Sequence, residues 1–121
     1  MEKIENSKIK ETVYIETLDN GMKIIIIPKH ETRKKYIIWG PKIGSIHNHF
    51  IEPKTGREVK VPDGVAHYLE HKMFEQENGV DSLYKLMSLG LDANAYTTND
   101  HTAYLFGGTN NFYEGLDELM D

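Results

Sequence analysis

Two histidines and a glutamate lie close together in the segment PDGVAHYLEHKMF, residues 62–74. His67 and His71 are four residues apart, and Glu70 directly precedes the second histidine. Residues four apart in a helix lie on the same face, so both imidazoles can reach one metal ion. Glu70 is turned by about 100° from His71 at 3.6 residues per turn. Its carboxylate can therefore reach a metal-bound water without ligating the metal.

The chemistry that suits this H-x-x-E-H pattern is zinc-assisted hydrolysis. Zinc lowers the pKa of a bound water towards neutrality, and a carboxylate beside it can take the proton as the water attacks a peptide carbonyl. The pattern therefore favours His67 and His71 as zinc ligands and Glu70 as the general base. The alternative is a helix surface on which the two histidines are merely solvated.

The composition is that of one small folded domain. The chain has 121 residues, of which 39% are hydrophobic and 27% are charged, as in globular proteins. The net charge of -5 argues against nucleic acid as a partner, because phosphate binding requires a concentrated basic face. The absence of cysteine excludes disulfides, thiolate metal ligands and cysteine nucleophiles.

No membrane or secretory segment is evident in the sequence. The longest isoleucine run, residues 24–27, is far too short to cross a bilayer. Residues 1–11, MEKIENSKIKE, are polar and mixed in charge, without the apolar core of a secretion signal. We therefore expect a cytoplasmic protein with no membrane partner. Residues 1–11 are interpreted as a polar lead-in, frayed over its first ten residues.

The segments that precede the motif predict β-structure. Residues 13–15 and 22–27 are rich in β-branched side chains, and the Asn20-Gly21 pair between them is a strong hairpin signal. Residues 36–40 resume a strand. We expect the hairpin to share one mainly antiparallel sheet with the strand at 36–39 and with strands farther along, at 93–106.

Two helices are predicted after a polar loop at residues 52–63. Asp63 is the candidate N-cap of the first helix, over 64–77. Helical spacing on that helix places Val65, Leu69 and Met73 on one apolar stripe. The second helix covers about 81–89 and ends at Gly90.

A strand pair and a third helix complete the pattern. Residues 93–98 and 102–106 flank a turn at Asn99-Asp100, and an amphipathic helix begins at residue 111 with Phe112, Leu116 and Leu119 inward. That helix reaches residue 121 without a stop signal. Strands joined by short turns around a helix pair indicate the α+β class, a mainly antiparallel sheet with helices packed on one face.

The other histidines are weaker candidates for metal ligands. His47 and His49 have H-x-H spacing and could share a strand face, but no carboxylate or third histidine accompanies them, so a loop or solvent role is favoured. His101 follows Asn99-Asp100 and is interpreted as a turn residue.

The chain resembles the M16, or pitrilysin-like, metallopeptidases, which belong to the inverzincins. The likeness rests on HYLEH together with LDNGMKIIIIP, IGSIHNHF and LMSLGLDANAYTTNDHTAYLF, and it extends over about residues 12–121. The NHF and EQENG elements are similar to the bacterial, processing-protease-like branch. The resemblance implies a zinc-dependent endopeptidase for extended peptides, whose active chamber is closed by a second M16-like domain in cis or in trans.

The resemblance also implies roles for individual residues. His67 and His71 match the two zinc ligands, and Glu70 matches the general base. Asn94, Ala95 and Tyr96 match an edge strand along which the family lays its substrate. An edge strand offers unpaired N–H and C=O groups to any extended peptide. The alternative is an ordinary interior strand.

The third zinc ligand implied by the resemblance is a glutamate that we expect beyond the end of this chain. None of the acidic residues after the motif lies at the matching distance: Glu75, Glu77, Glu114 and Glu118. We therefore interpret residues 12–121 as the N-terminal portion of an M16-like domain, truncated at the C-terminus and inactive by itself. The alternative function is a non-catalytic M16-like subunit or scaffold that binds peptides or a partner. The intact HYLEH favours the enzyme.

Overall fold

The computed structural model describes residues 1–75 and 79–120. The chain has two compact units, Met1–Arg33 and Lys34–Asp121. Over the described residues, the helices are too short or too polar to cross a membrane.

The first unit is a three-stranded antiparallel sheet in sequence order, formed by β1 (Glu2–Asn6), β2 (Glu11–Thr17) and β3 (Lys23–Ile26). The Asn-Gly turn joins β2 to β3 as predicted. Gly21 adopts a φ of +85°, a conformation that suits glycine, and its N–H donates to the carbonyl of Leu18 over 2.8 Å.

The predicted frayed lead-in over residues 1–10 is wrong. Glu2 to Asn6 pair residue by residue with Glu11 to Ile15 in antiparallel register. The strand EKIEN contains one apolar residue, Ile4, and a single apolar residue gives no hydrophobic periodicity, so the sequence pattern gave no signal for it. Its pairing relies on backbone hydrogen bonds, which any side chain permits.

The described part of the second unit contains eight elements. In chain order they are β4 (Lys35–Trp39), β5 (His49–Ile51), β6 (Glu58–Lys60), α1 (Val65–Met73), α2 (Ser82–Ser88), β7 (Asp92–Thr97), β8 (Thr102–Gly108) and α3 (Phe112–Met120). Strands β4, β8 and β7 form an antiparallel sheet in that order, and β5 pairs with β6 as a separate ribbon. The α+β class is confirmed.

The prediction of one shared sheet is wrong. Among the described strands, β2 and β3 hydrogen-bond with β1 and with each other, while β4 and β7 hydrogen-bond with β8. The hairpin signal correctly identified the local β2–β3 turn. It carried no information about which strand occupies the other side of β2, and β1 takes that place.

One face of the β4-β8-β7 sheet carries the core of the second unit. The register aligns Ile37 of β4, Phe106 of β8 and Ala93 of β7 across that face. Phe106 is fully buried and clusters with Leu86 of α2 and with Leu91. The predicted inward residues of α3 pack against this cluster: Phe112, Leu116 and Leu119. Helices α2 and α3 thus cover the end of the sheet at which Phe106 lies.

Helix α1 departs from its predicted start and end. Gly64, with a φ of +87°, occupies the N-cap position, and the Asp63 carboxylate instead accepts a hydrogen bond from the Asn48 side chain over 2.8 Å. The helix ends at Met73, earlier than the predicted residue 77, which lies outside the described residues.

The apolar stripe of α1 is largely exposed at Leu69 and Met73. Leu69 and Met73 are 51% and 62% exposed, and together with Trp39 and Tyr104 they line an open apolar groove. Helix α2, Ser82–Ser88, lies within its predicted range of about 81–89, and Asp81 caps it by accepting the Leu83 N–H over 2.8 Å.

Candidate metal centre

Helix α1 presents its two histidines side by side on an exposed surface. The Nε2 atoms of His67 and His71 lie 3.0 Å apart, and the ring centroids are 4.9 Å apart. Two nitrogens bound to one tetrahedral zinc, at bond lengths of about 2.0–2.1 Å, are separated by about 3.3 Å. The helix therefore already holds both nitrogens at nearly the separation that a shared zinc ion requires.

Glu70 lies on the opposite, buried edge of the same site. Its side chain is turned towards the sheet, and the residue is only 7% exposed. One ligand atom from each of His67, Glu70 and His71 lies within 4.8 Å of the others. Among residues 1–75 and 79–120, a group of three histidine or acidic side chains close enough to hold a metal ion occurs here and at no other place.

A threonine of strand β7 fixes the carboxylate of Glu70. The Thr97 hydroxyl donates a hydrogen bond to Oε2 of Glu70 over 2.6 Å. Thr97 lies directly opposite Thr102 in the β7–β8 register, and their Oγ1 atoms are 3.5 Å apart. The Thr102 hydroxyl donates to the carbonyl of Ile43 over 2.8 Å. Helix α1, the β7–β8 hairpin and the segment that contains Ile43 thus meet beside Glu70, the candidate general base.

An aromatic wall continues from these threonines along the sheet. Tyr104 is buried, and its ring centroid lies 5.6 Å from those of Trp39 and Phe74. Burial, assisted by the nearby negative charge of Glu70, raises the pKa of the Tyr104 phenol above its ordinary value. This wall lowers the local polarity on the sheet side of Glu70.

The predicted substrate strand is β7, which is the last strand of the β4-β8-β7 order among the described strands. Asn94 and Tyr96 are exposed, and Ala95, which pairs with Tyr104, is half-buried. The role of these three residues in binding substrate stays a prediction.

The three histidines that were weaker candidates in the sequence have local partners. The His47 Nδ1 accepts the N–H of Gly44 over 3.0 Å, and His49 lies 2.6 Å from the Glu58 carboxylate. His101 lies in the turn, 2.7 Å from the Asp100 carboxylate. The structure thus places these three histidines in loop or surface interactions.

The acidic residues weighed for a third ligand position are likewise away from the cluster where the structure describes them. Glu75 pairs with Lys72 over 2.5 Å, and Glu118 pairs with Lys85. Glu114 lies in the first turn of α3. Glu77 lies outside the described residues.

Thr97 and Thr102 are the site residues that sequence reasoning missed. The available signal was their symmetry about the Asn99-Asp100 turn, because residues that flank a hairpin turn equally face each other on one side of the sheet. The missing information was that α1 directs Glu70 towards that side of the hairpin.

The family model described as Insulinase (Peptidase family M16) matches residues 56–121, which is more than half of the chain. The chain belongs to peptidase family M16. The matched segment contains the whole H-x-x-E-H helix and the β7–β8 hairpin. The resemblance inferred from the sequence is confirmed.

Individual relatives agree with the M16 assignment. The chain is 41% identical over 118 residues to the Bacillus subtilis (strain 168) protein named "Uncharacterized zinc protease YmfH", covering 98% of this chain and 27% of that protein. The crystal structure of a protein assigned as an M16-like peptidase from Alicyclobacillus acidocaldarius superposes with a TM-score of 0.82 at 32% identity, over 98% of this chain and 26% of that one. Pitrilysin shares the fold, with a TM-score of 0.73 at 22% identity over 99% of this chain and 13% of its own.

The chain therefore spans about a quarter of the length of YmfH and of the Alicyclobacillus structure.

Proposed function

We propose that this chain is the N-terminal part of the catalytic domain of a zinc-dependent endopeptidase that cleaves extended peptides. The observation that carries the proposal is the 3.0 Å separation of the His67 and His71 Nε2 atoms with the Glu70 carboxylate beside them. Membership of family M16 and relatives named as zinc proteases support it.

The donor set fits zinc. Two neutral imidazoles and a neighbouring carboxylate are ligand types that zinc accepts, and a catalytic zinc site uses three protein ligands with one position left open. His67 and His71 would supply two of these ligands. The third is proposed to come from a glutamate outside this chain. When bound, zinc supplies Lewis acidity, which acidifies a water and polarises the scissile carbonyl.

Glu70 does the proton chemistry in this proposal. Its Oε2 is engaged by Thr97, so Oε1 is the oxygen assigned to the attacking water. The carboxylate takes the proton that the water loses on attack and can return it to the leaving amine. The rings of Tyr104 and Trp39 limit solvent on the sheet side of Glu70, which strengthens the electrostatic interaction between its carboxylate and the water.

Strand β7 is proposed to position the substrate. An extended peptide can add to the side of β7 that faces away from β8, using backbone hydrogen bonds from the Asn94–Tyr96 segment. Such pairing depends little on peptide sequence, because the backbone groups are common to all residues. A second M16-like domain, in cis or in trans, is proposed to close the chamber over this strand.

Metal depletion and restoration of the full-length protein test this function. A chelator should abolish hydrolysis of an unstructured peptide, and added zinc should restore it. The His67→Ala variant should bind no catalytic zinc and should not be restored. His49→Ala is the matched control, because His49 is exposed and pairs with Glu58 away from the cluster.

Two other results would contradict the proposed zinc endopeptidase. Peptide hydrolysis that persists after complete metal removal would contradict zinc catalysis. A metal-loaded protein that binds peptides tightly and cleaves none of them would instead be a non-catalytic M16-like subunit.

A further inference from the structure

We infer that Thr97 is the positioning residue of the general base: its hydroxyl fixes the carboxylate of Glu70 through Oε2 and so aims Oε1 at the attacking water. The inference rests on the proposed function, in which Glu70 accepts that water's proton. It assigns to the β7–β8 hairpin a part in orienting the base, separate from any part of β7 in binding substrate.

The direction of the hydrogen bonds follows from counting protons. Each threonine hydroxyl has one proton to donate. The proton of Thr102 goes to the carbonyl of Ile43, 2.8 Å away. Thr97 therefore receives no proton from Thr102 and has its own to give. The Glu70 carboxylate at 2.6 Å is the stronger acceptor than the Thr102 oxygen at 3.5 Å, because charged acceptors make shorter and stronger bonds.

The backbone around Thr97 makes its hydroxyl a fixed reference point. The Thr98 N–H donates to the carbonyl of His101 over 2.8 Å, which closes the hairpin next to Thr97. The N–H of Ser45 in turn donates to the carbonyl of Thr98 over 2.9 Å. A β-branched side chain on such a strand has restricted χ1 freedom. Glu70, with its longer and more flexible side chain, gains its orientation from this partner.

A purely structural role would have different consequences. Glu70 is 7% exposed, so its carboxylate needs a hydrogen-bond partner for stability alone. If Thr97 only satisfied that need, its removal would lower stability and leave the turnover of the folded protein unchanged. If Thr97 orients the base, its removal lowers turnover even where the protein is folded and holds zinc.

The test uses zinc-loaded full-length protein with Thr97→Val, which removes the hydroxyl and nearly keeps the shape. We expect kcat to fall about 10- to 100-fold, the effect of losing a hydrogen bond to a charged group. KM and zinc content should stay near wild type. Thr97→Ser keeps the hydroxyl and should recover most of the loss. Thr109→Val is the matched control, since Thr109 is exposed and follows β8 at the other end of the hairpin.

A second background shows whether Thr97 acts through Glu70. In Glu70→Gln protein, adding Thr97→Val should cause almost no further loss, because residues that act as one unit are not additive. Thr97→Ala should behave in the same way if the valine variant folds poorly. Crystal structures should show one orientation of the Glu70 carboxylate in wild type and several in Thr97→Val.

Three results would overturn the inference: full turnover in Thr97→Val, no recovery in Thr97→Ser, or equal losses from Thr97→Val in the wild-type and Glu70→Gln backgrounds. Failure of the proposed function is distinguishable, because the wild-type protein itself would then cleave no peptide or would keep cleaving after complete metal removal, whatever Thr97 does.

Discussion

The Nε2 atoms of His67 and His71 lie 3.0 Å apart on the exposed face of α1, while Glu70 on the same helix is buried against strand β7. The two faces of this helical turn therefore have different roles. Its outer face offers nitrogens to a metal ion, and its inner face fixes a carboxylate to the sheet. This division accounts for the order of residues in HYLEH, since a residue directly before the second histidine is rotated about 100° away from it.

The first prediction concerns zinc binding by the 121-residue chain itself. Two histidines are fewer than the three protein ligands of a catalytic site, so we expect less than one equivalent of zinc after dialysis, and its removal by a mild chelator. Metal analysis by atomic emission measures this directly. His67→Ala should reduce the bound zinc to background, and His49→Ala should leave it unchanged. A full, chelator-resistant equivalent would show that another residue of this chain completes the site.

The second prediction concerns Gly44, which lies against the turn of the β7–β8 hairpin. A Cβ at this position would lie 2.5 Å from the backbone of Asn99 and of Asp100, and backbone atoms cannot rotate aside. Gly44→Ala should therefore lower the free energy of unfolding by about 1–3 kcal/mol or more, measured by urea denaturation.

A graded control for that variant is Gly107→Ala. Its Cβ would meet the ring of the exposed Tyr36 at 3.2 Å, and this side chain can move. The loss should be smaller than for Gly44→Ala. Equal stability losses in the two variants would refute the assignment of Gly44 to a close backbone contact.

The third prediction concerns the alkaline titration of Tyr104. Burial and the charge of Glu70 raise its pKa, so the folded protein keeps this phenol protonated at pH values where the unfolded chain ionises it. The stabilising contribution is complete below the ordinary pKa of about 10 and is lost as the pH rises through the folded value. Tyrosinate absorbance should show one late-titrating phenol that Tyr104→Phe removes.

The charge of Glu70 can be separated from burial in the same experiment. Glu70→Gln removes the negative charge and keeps the packing, so the late-titrating phenol should move to lower pH. If Tyr104→Phe removed a phenol that titrates at the ordinary pH, and the late-titrating phenol remained, the raised pKa of Tyr104 would be contradicted.

The elements that local chemistry determines were predictable from the sequence. The Asn20-Gly21 pair specifies its own turn, Asp81 caps α2 through bonds to nearby N–H groups, and the spacing of HYLEH places both histidines on one helix face. In each case the physical cause lies within a few residues along the chain. The inward face of α3 was predictable for the same reason, because its apolar side chains repeat with the helical period.

What the sequence could not give depends on contacts between distant segments. Strand β1 has Ile4 as its single apolar residue and pairs through its backbone, so no periodicity revealed it. Asp63 had the right type for an N-cap, but the Asn48 side chain engages its carboxylate. The Thr97–Glu70 hydrogen bond joins residues 27 apart, and only the packing of α1 on the hairpin brings them together.

The most direct test of the central claim is the peptide-hydrolysis rate of zinc-loaded, full-length protein that carries Glu70→Gln. The amide keeps the size of the side chain but cannot accept a proton, so the rate should fall about 10²- to 10⁴-fold with zinc content unchanged. Glu75→Gln, the same change at an exposed residue paired with Lys72, should keep the wild-type rate. A Glu70→Gln protein that holds zinc and hydrolyses peptides at near wild-type rate would contradict the account and leave HYLEH as a structural metal site.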